Sequence, residues 1–234
     1  MTTQFRRLLL LVLCAIALTA CSLGARKIGP ENKPNNASSS SSTAGSPFSP
    51  SNDARKDLHD AIDKLNAAYP YRLTETVSSS PNNQTAMPAG TRVVEFAAAD
   101  RVHMKSTSSS GGDFEAITLG NKHYWYSGGK WTEGSLPLKA NASADMAKKI
   151  AEMIKDVKYV GPETVNGVAC HLYTCIIDGS MGGQKWIGAG KFWIGAADGL
   201  LHQSDSDFEI GAFGGKSHIV YEYNVNIKVE KPAM

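Results

Sequence analysis

The residue whose type and position could carry chemistry is Cys21, a thiol that directly follows Leu18-Thr19-Ala20. Ahead of this segment lie two arginines, Arg6 and Arg7, and then an uninterrupted apolar run over residues 8–17. A basic segment, a short apolar segment and small residues before a cut site are typical of a cleaved export signal. The apolar run is roughly ten residues, about half the length that a membrane-spanning helix needs. The sequence therefore predicts a signal peptide over residues 1–20.

The segment Leu18-Thr19-Ala20-Cys21 resembles the lipobox of bacterial lipoproteins. The resemblance implies that the signal is cut before Cys21 and that this cysteine becomes a diacylglyceryl-cysteine carrying acyl chains such as palmitate. Each buried methylene contributes about 0.8 kcal/mol, so two or three chains hold a protein at a membrane without a spanning helix. The alternative is an ordinary secretory signal whose cysteine follows the cut site by chance. Ser22 is similar to the outer-membrane address of enteric bacteria, which implies an outer-membrane anchor facing the periplasm.

Catalytic and metal-binding patterns are absent from the sequence. It contains no G-x-S-x-G segment, no P-loop or dinucleotide-binding glycine pattern and no H-E-x-x-H segment. The six histidines are scattered at large intervals, and the adjacent Cys170 and His171 face opposite ways on a strand, which argues against a shared zinc ion. We predict no catalytic residue, no metal site, no cofactor and no enzymatic activity. A hydrolase with an unrecognised site is the least favoured alternative.

Two cysteines lie beyond the predicted signal and anchor, at Cys170 and Cys175. The segment between them has the pattern of a strand, and five residues of extended chain span roughly 16 Å. A disulfide allows only about 7 Å between its Cα atoms. The odd spacing also places the two side chains on opposite faces of a sheet. We therefore expect two free thiols, at least one of them buried.

Charge and composition divide the chain into a tether and one folded domain. Residues 1–20 contain two arginines and no acidic residue, so the mature chain has 22 basic and 22 acidic residues. A neutral balance argues against a nucleic-acid partner, because such proteins need a concentrated positive face. The composition, rich in serine, proline and asparagine, predicts that residues 21–51 are the lipidated N-terminus and a disordered tether. The remaining domain, residues 52–234, is long enough to bury a core.

Apolar residues at helical spacing predict two amphipathic helices. The first has Ser51 or Asn52 as its cap, Asp53 in its first turn, and ends at Pro70. Its apolar face contains Leu58, Ile62 and Leu65. The second begins at Ser143 and runs to Val157. Its apolar face contains Met146, Ile150, Met153, Ile154 and Val157.

Alternation with a period of two predicts an antiparallel sheet over most of the remaining chain. Hairpin signals such as Gly120-Asn121 and Val165-Asn166-Gly167-Val168 separate the runs. After the second helix we expect strands at residues 168–177, 184–187, 191–194, 200–208 and 218–229. The fold class is α+β, with a single curved antiparallel sheet of about 9–11 strands, a half-open barrel, covered by the two helices.

The order of these elements resembles the LolA/LolB-like (LppX/LprG-like) half-barrel proteins from about residue 53 to the end of the chain. The segments that carry the resemblance are Val220-Tyr221-Glu222-Tyr223-Asn224-Val225-Asn226-Ile227-Lys228-Val229 with Pro232, Phe192-Trp193-Ile194 with Asp198-Gly199-Leu200, and Val165-Asn166-Gly167-Val168 with Cys170-His171-Leu172-Tyr173. The family includes periplasmic lipoprotein carriers, their outer-membrane receptors and lipoproteins that carry glycolipids. One departure is that no position matches the arginine that closes the lid in the soluble carriers.

The resemblance implies a lipid-binding cavity between the sheet and a lid helix. Its predicted lining is Val94, Phe96, Val102, Met104, Ile117, Leu119, Tyr124, Tyr126, Cys170, Leu172, Ile194, Tyr221 and Tyr223. The predicted lid is Met146, Ile150, Met153 and Ile154, because methionine adapts to a variable guest.

Ordinary core packing is the alternative explanation for these residues. The function expected is an anchored, monomeric envelope lipoprotein that binds lipid or an acylated protein for carriage or insertion between membranes. The alternative is a scaffold or protein-binding lipoprotein with the same fold and a filled core.

Overall fold

A computed structural model describes residues 47–79, 85–86, 88–109, 112–134, 152–181, 183–211 and 213–234. Helix α1 spans Ala54–Leu65. Its N-cap is Asp53, whose side chain accepts a hydrogen bond from the backbone N–H of Lys56 at 2.9 Å, so the predicted caps Ser51 and Asn52 were wrong by one or two residues. Leu58, Ala61 and Leu65 are buried on one face, as the periodicity predicts.

Twelve strands make up the rest of the described chain. They are β1 (Tyr71–Ser79), β2 (Thr85–Ala86), β3 (Gly90–Ala98), β4 (Arg101–Ser108), β5 (Phe114–Leu119), β6 (Lys122–Ser127), β7 (Lys130–Gly134), β8 (Ile154–Val165), β9 (Val168–Met181), β10 (Gln184–Gly195), β11 (Leu201–Ile210) and β12 (Phe213–Tyr223). The two short strands predicted over 184–187 and 191–194 are one continuous strand, β10. The turn between β8 and β9 has positive φ at Asn166 and Gly167, as its sequence predicts.

All of these strands belong to one sheet. Eleven of them follow the order β7-β6-β5-β4-β3-β1-β12-β11-β10-β9-β8, and each pair in this path is antiparallel. The short strand β2 pairs with β12 in parallel. Strands β7 and β8 are the two edges and do not pair with each other, so the sheet is not closed.

The sheet curves around α1. One apolar cluster joins α1 to buried residues of β3, β1 and β8–β12, which are neighbours along the sheet. A flat sheet would spread these strands over roughly 29 Å at about 4.8 Å per strand, whereas twelve helical residues measure about 18 Å. We call the face that contacts α1 the concave face and the opposite face the convex face. Tyr71, Leu73 and Glu75 of β1 lie on the concave face, and Arg72 lies on the convex face.

The helix predicted to run to Val157 is wrong at its C-terminal end, and α1 is the one complete helix among the described residues. Residues 152–153 are helical, but strand β8 begins at Ile154. The pairing of β8 with β9 shifts register between Lys155 and Lys158, where Asp156 has a φ of 51°. This bulge lets Ile154 and Val157 both contact the concave core, although they are three residues apart. A bulged strand thus reproduces the apolar spacing of a helix.

The strand predicted over residues 218–229 ends earlier than expected. Strand β12 stops at Tyr223, and Asn224 follows with a φ of 57°. Residues 225–234 continue without strand pairing, and Ile227 and Val229 pack with Ile117 and Tyr124 in a second apolar cluster. We call residues 225–234 the C-terminal strap. Its apolar and polar residues alternate because extended chain has a period of two with or without ladder hydrogen bonds.

Candidate ligand-binding face

The part of the concave face beneath α1 is closely packed. Leu58 of α1, Phe96 of β3, Tyr173 of β9 and Ile194 of β10 each expose 2% of their surface or less. Tyr71 stacks on Phe96 with 4.5 Å between ring centroids. We call this part the helix-covered half. Side chains fill its centre and leave it little room for a ligand.

A buried polar contact fixes α1 against the sheet. The Tyr173 hydroxyl donates a hydrogen bond of 2.9 Å to Asp57 of α1, and the backbone N–H of Ser51 donates another of 2.8 Å to the same carboxylate oxygen. Burial, followed by the bond to Asp57, raises the pKa of Tyr173 above its usual range. Phe48, which precedes the helix, packs against the same core, and its backbone N–H bonds to the Ala196 carbonyl at 2.8 Å. Phe48 therefore already belongs to the folded domain.

The concave face continues beyond α1 toward the strand ends at Ser79, Met181, Gln184 and Ile210, and we call this part the far half. Ile210 is buried here, but four other large apolar side chains are only half-buried. They are Ile177 of β9, Trp186 and Phe192 of β10, and Phe208 of β11. Small residues lie between them at Gly188, Gly190, Ser206, Gly215 and Ser217. The far half therefore presents partly exposed apolar surface beside small side chains.

Neighbouring strands approach each other closely at glycine positions in this part of the sheet. A Cβ added to Gly188 would lie 2.5 Å from the Asp207 carbonyl oxygen, and one added to Gly90 would lie 2.2 Å from that of Thr107. Only glycine permits this approach, which goes with strong local coiling of a sheet. At Gly179 an added Cβ would meet the side chain of Met153 at 2.2 Å, so Met153 lies directly on the concave face of β9.

A buried ion pair lies between the two halves. Nη1 of Arg92 on β3 donates to Oε2 of Glu75 on β1 at 2.6 Å, and the Ser217 hydroxyl of β12 donates to Oε1 of Glu75 at 2.7 Å. Glu75 exposes 4% of its surface and Arg92 8%. The pair separates the apolar residues Leu73 and Val94 from the small residues at the far ends of the strands.

A longer polar network crosses the convex face of the same strands. Glu95 accepts hydrogen bonds from Arg72, of which the shorter is 2.7 Å, and lies 3.2 Å from Nδ1 of His103. The other ring nitrogen of His103 lies 2.7 Å from Glu115. Burial opposes ionisation of Glu95, but the bonds to Arg72 and His103 outweigh it and lower the pKa of this carboxyl.

The predicted cavity residues divide between the two faces. Those on the concave face are Val94, Phe96, Val102, Met104, Ile194, Tyr221 and Tyr223. Those on the convex face, by strand register, are Ile117, Leu119, Tyr124, Tyr126, Cys170 and Leu172. The structure therefore does not bring the predicted lining together in one place. Residues that the prediction missed include Trp186 and Phe208, although their aromatic character was a usable signal.

Two of the four predicted lid residues, Met146 and Ile150, lie outside the described residues. Met153 is buried, with 5% of its surface exposed, and covers Gly179. Ile154 is a strand residue rather than a helical lid residue, since it is the first residue of β8 and pairs with Ile177.

Titratable groups outside these clusters suit a structural role. Cys170 and Cys175 are free and buried, as predicted, and burial raises the pKa of each thiol to about 11.

In the described parts of the chain, no three His, Cys, Asp or Glu side chains are grouped to hold a metal ion. Among those same residues, every helix is too short or too polar to cross a bilayer.

The solved structures that are similar to this chain include two mycobacterial proteins. The lipoprotein LppX from Mycobacterium tuberculosis is 12% identical, the match covers 76% of this chain and 98% of LppX, and the TM-score is 0.52. LprF from Mycobacterium bovis is 13% identical, with 80% of this chain and 100% of LprF covered and a TM-score of 0.50. Neither a protein-family model nor a curated protein sequence matches the chain. The curved open sheet around α1 thus shares the fold of LppX and LprF.

Proposed function

We propose that this protein is a membrane-anchored, non-enzymatic envelope lipoprotein that binds lipid or lipoprotein acyl chains, for carriage or insertion between membranes. The observation that carries the proposal is the far half of the concave face. There Ile177, Trp186 and Phe208 are only half-buried beside glycine and serine positions, whereas the helix-covered half is filled. Apolar surface gains roughly 25 cal/mol for each Å² removed from water, so a hydrocarbon chain is the ligand class that this surface favours. The fold shared with the lipoprotein LppX supports this proposal.

Filling the far half tests the binding site. Ser206 of β11 is a half-buried concave-face residue, and its neighbour Asp207 is exposed on the convex face. We expect Ser206→Trp to weaken binding of a fluorescent acyl probe at least tenfold. Asp207→Trp, the matched control on the same strand, should leave binding unchanged. Native mass spectrometry of the wild-type protein should show retained acyl chains, and an empty protein that binds no probe would contradict the proposal.

The anchor is the second part of the proposal. We infer that Cys21 carries the diacylglyceryl group, that residues 22–46 serve as the tether, and that the protein faces the periplasm from the outer membrane. A cell expressing the wild-type chain should incorporate labelled palmitate into it and retain it in the outer-membrane fraction. Cys21→Ala should abolish both, whereas Cys14→Ala within the predicted signal should change neither. Palmitate labelling that survives Cys21→Ala would contradict the assignment.

The packed helix-covered half favours one alternative, an envelope scaffold that binds a protein partner through its surface. Tyr71, Phe96 and Leu58 already occupy the space that acyl chains would need in that half. A scaffold should recover a protein from envelope extracts and carry no lipid, and Ser206→Trp should not affect that recovery. The two functions therefore differ in the effect of Ser206→Trp, which should impair the function of an acyl-binding protein and leave that of a scaffold unchanged.

A further inference from the structure

The Glu75–Arg92 pair lies where a ligand on the far half would end. Along β1 and β3 it is flanked on one side by Leu73 and Val94 of the packed core, and on the other by Val77 and Gly90. Ser106 of β4 is paired with Arg92 across the strands, so the residue directly opposite Arg92 on that strand is small. A charged pair thus adjoins an apolar surface that leads away from it.

The hydrogen bonds of this cluster leave donors unused. Both carboxylate oxygens of Glu75 are occupied, one by Nη1 of Arg92 and the other by Ser217. Nε and Nη2 of Arg92 make no hydrogen bond to any described residue. Neither of these nitrogens is among the fully enclosed unpaired atoms, since His59 Nε2 is the one such atom in the described chain. The Arg92 side chain keeps 10% of its surface exposed, where a ligand atom could accept protons from the unused donors.

Stability does not account for the pair. Replacing a buried ion pair with apolar residues of similar volume is often neutral or stabilising, because desolvation offsets the attraction. Arginine presents five N–H donors in a planar fork, and a carbonyl oxygen with two lone pairs can accept two of them. Nε and Nη2, the guanidinium nitrogens that Glu75 does not engage, are suited to such an acceptor.

We infer that Arg92 is a binding residue that donates hydrogen bonds through Nε and Nη2 to an uncharged ester carbonyl of a bound acyl lipid. This inference rests on the proposed function and specifies the ligand's polar group. Glu75 already neutralises Arg92, so an ionised headgroup would place a second negative charge beside Glu75 in a low-dielectric site. An ester carbonyl satisfies the same donors without added charge.

The distance along the sheet matches such a ligand. Phe192 of β10 lies in the same row as Arg92 of β3, because the strand pairing runs from Arg92 through Glu75, Ile219 and Ser204 to Phe192. Four strand spacings of about 4.8 Å amount to roughly 19 Å, the length scale of a common acyl chain. The ester group at Arg92 thus allows its chain to reach Phe192, a half-buried aromatic side chain of β10.

The test removes the pair without leaving a lone buried charge. The double variant Glu75→Leu with Arg92→Met is compared with Glu95→Leu with Arg72→Met, which removes the ion pair on the convex face of the same two strands. Dioleoylglycerol, squalene and oleate each compete with a fluorescent acyl probe on the full chain. We expect the concave-face variant to lose roughly ten- to hundredfold in affinity for dioleoylglycerol and to bind squalene as the wild type does. The convex-face control should bind both as the wild type does.

A second variant, Arg92→Lys, keeps the charge opposite Glu75 but lacks the planar fork. It should also bind dioleoylglycerol more weakly with squalene unaffected, and it covers the case in which the double variant fails to fold. Unchanged dioleoylglycerol affinity in either folded variant overturns the assignment of Arg92 while the proposed function stands. A loss confined to oleate overturns it in favour of an ionised ligand. A wild-type protein that binds none of the three lipids overturns the proposed function itself.

Discussion

At the scale of the residue, neighbouring charges decide the ionisation of Glu95. Its lowered pKa means that the folded state favours the carboxylate more than the unfolded chain does. This contribution to stability is present above the usual carboxyl pKa of 4.5 and is lost as the pH falls through the lowered value. We expect the free energy of unfolding, measured with urea from about pH 6 to about pH 3, to decrease below about pH 4.5. Arg72→Met should flatten this decrease, and an equally steep decrease in the variant would contradict the assignment.

Two further residues, Cys170 and Cys175, show how burial suppresses thiol chemistry. The reactive species is the thiolate, and a pKa of about 11 leaves little of it at neutral pH. We expect neither thiol to react with Ellman's reagent at about pH 8 in the folded protein, and both to react once it is unfolded in guanidinium chloride. A thiol that reacts rapidly in the native protein would show that its strand opens locally.

At the scale of the element, the C-terminal strap covers apolar surface that the sheet would otherwise expose. Val229 exposes 6% of its surface within the cluster of Ile117 and Tyr124, and Lys231 lies 5.8 Å from the Tyr124 ring centroid. We expect Val229→Asp to lower the free energy of unfolding by about 2–4 kcal/mol, because it removes buried apolar contacts and buries a charge. Asn226→Asp, on the exposed side of the strap, should change it by less than about 0.5 kcal/mol. Equal midpoints in thermal unfolding would show that the strap contributes nothing.

At the scale of the whole molecule, the two sheet edges resist association. Edge strand β8 carries two register shifts and Pro162, and edge strand β7 has only five residues. Bulges, proline and short length are the ways in which proteins keep edges from pairing with other chains. We expect a monomer by light scattering at about 100 μM protein, and self-association after Lys158→Val with Pro162→Val. Lys191→Val on the interior strand β10 is the control, and a wild-type dimer would contradict the prediction.

Several parts of the fold were predictable because they depend on neighbouring residues. The Asn166-Gly167 turn takes positive φ values as its residue types require, and the spacing of Leu58 and Leu65 places them on the buried face of α1. The odd spacing of Cys170 and Cys175 excluded a disulfide correctly. The half-barrel fold followed from the order of elements rather than from any one motif.

The candidate site was less predictable, since strand alternation does not say which face is concave. Alternate residues of β5 point to opposite faces of the sheet. The more apolar of the two sets, Ile117 and Leu119, faces the convex side because the C-terminal strap covers it there. The prediction assigned Ile117 and Leu119 to the cavity. Arg92 gave no signal at all, because a charged residue in an alternating segment is expected to face water.

The amino-acid sequence by itself determined most of the strands, the Asn166-Gly167 turn and α1, since each depends on residues a few positions apart. Only the tertiary structure decided which side of each strand is buried, that Ile154 belongs to a strand, and that Glu75 meets Arg92 and Ser217. The physical reason is that burial depends on what packs against a residue. In this protein the packing partners come from strands far apart in the chain, and from the strap that follows the last of them.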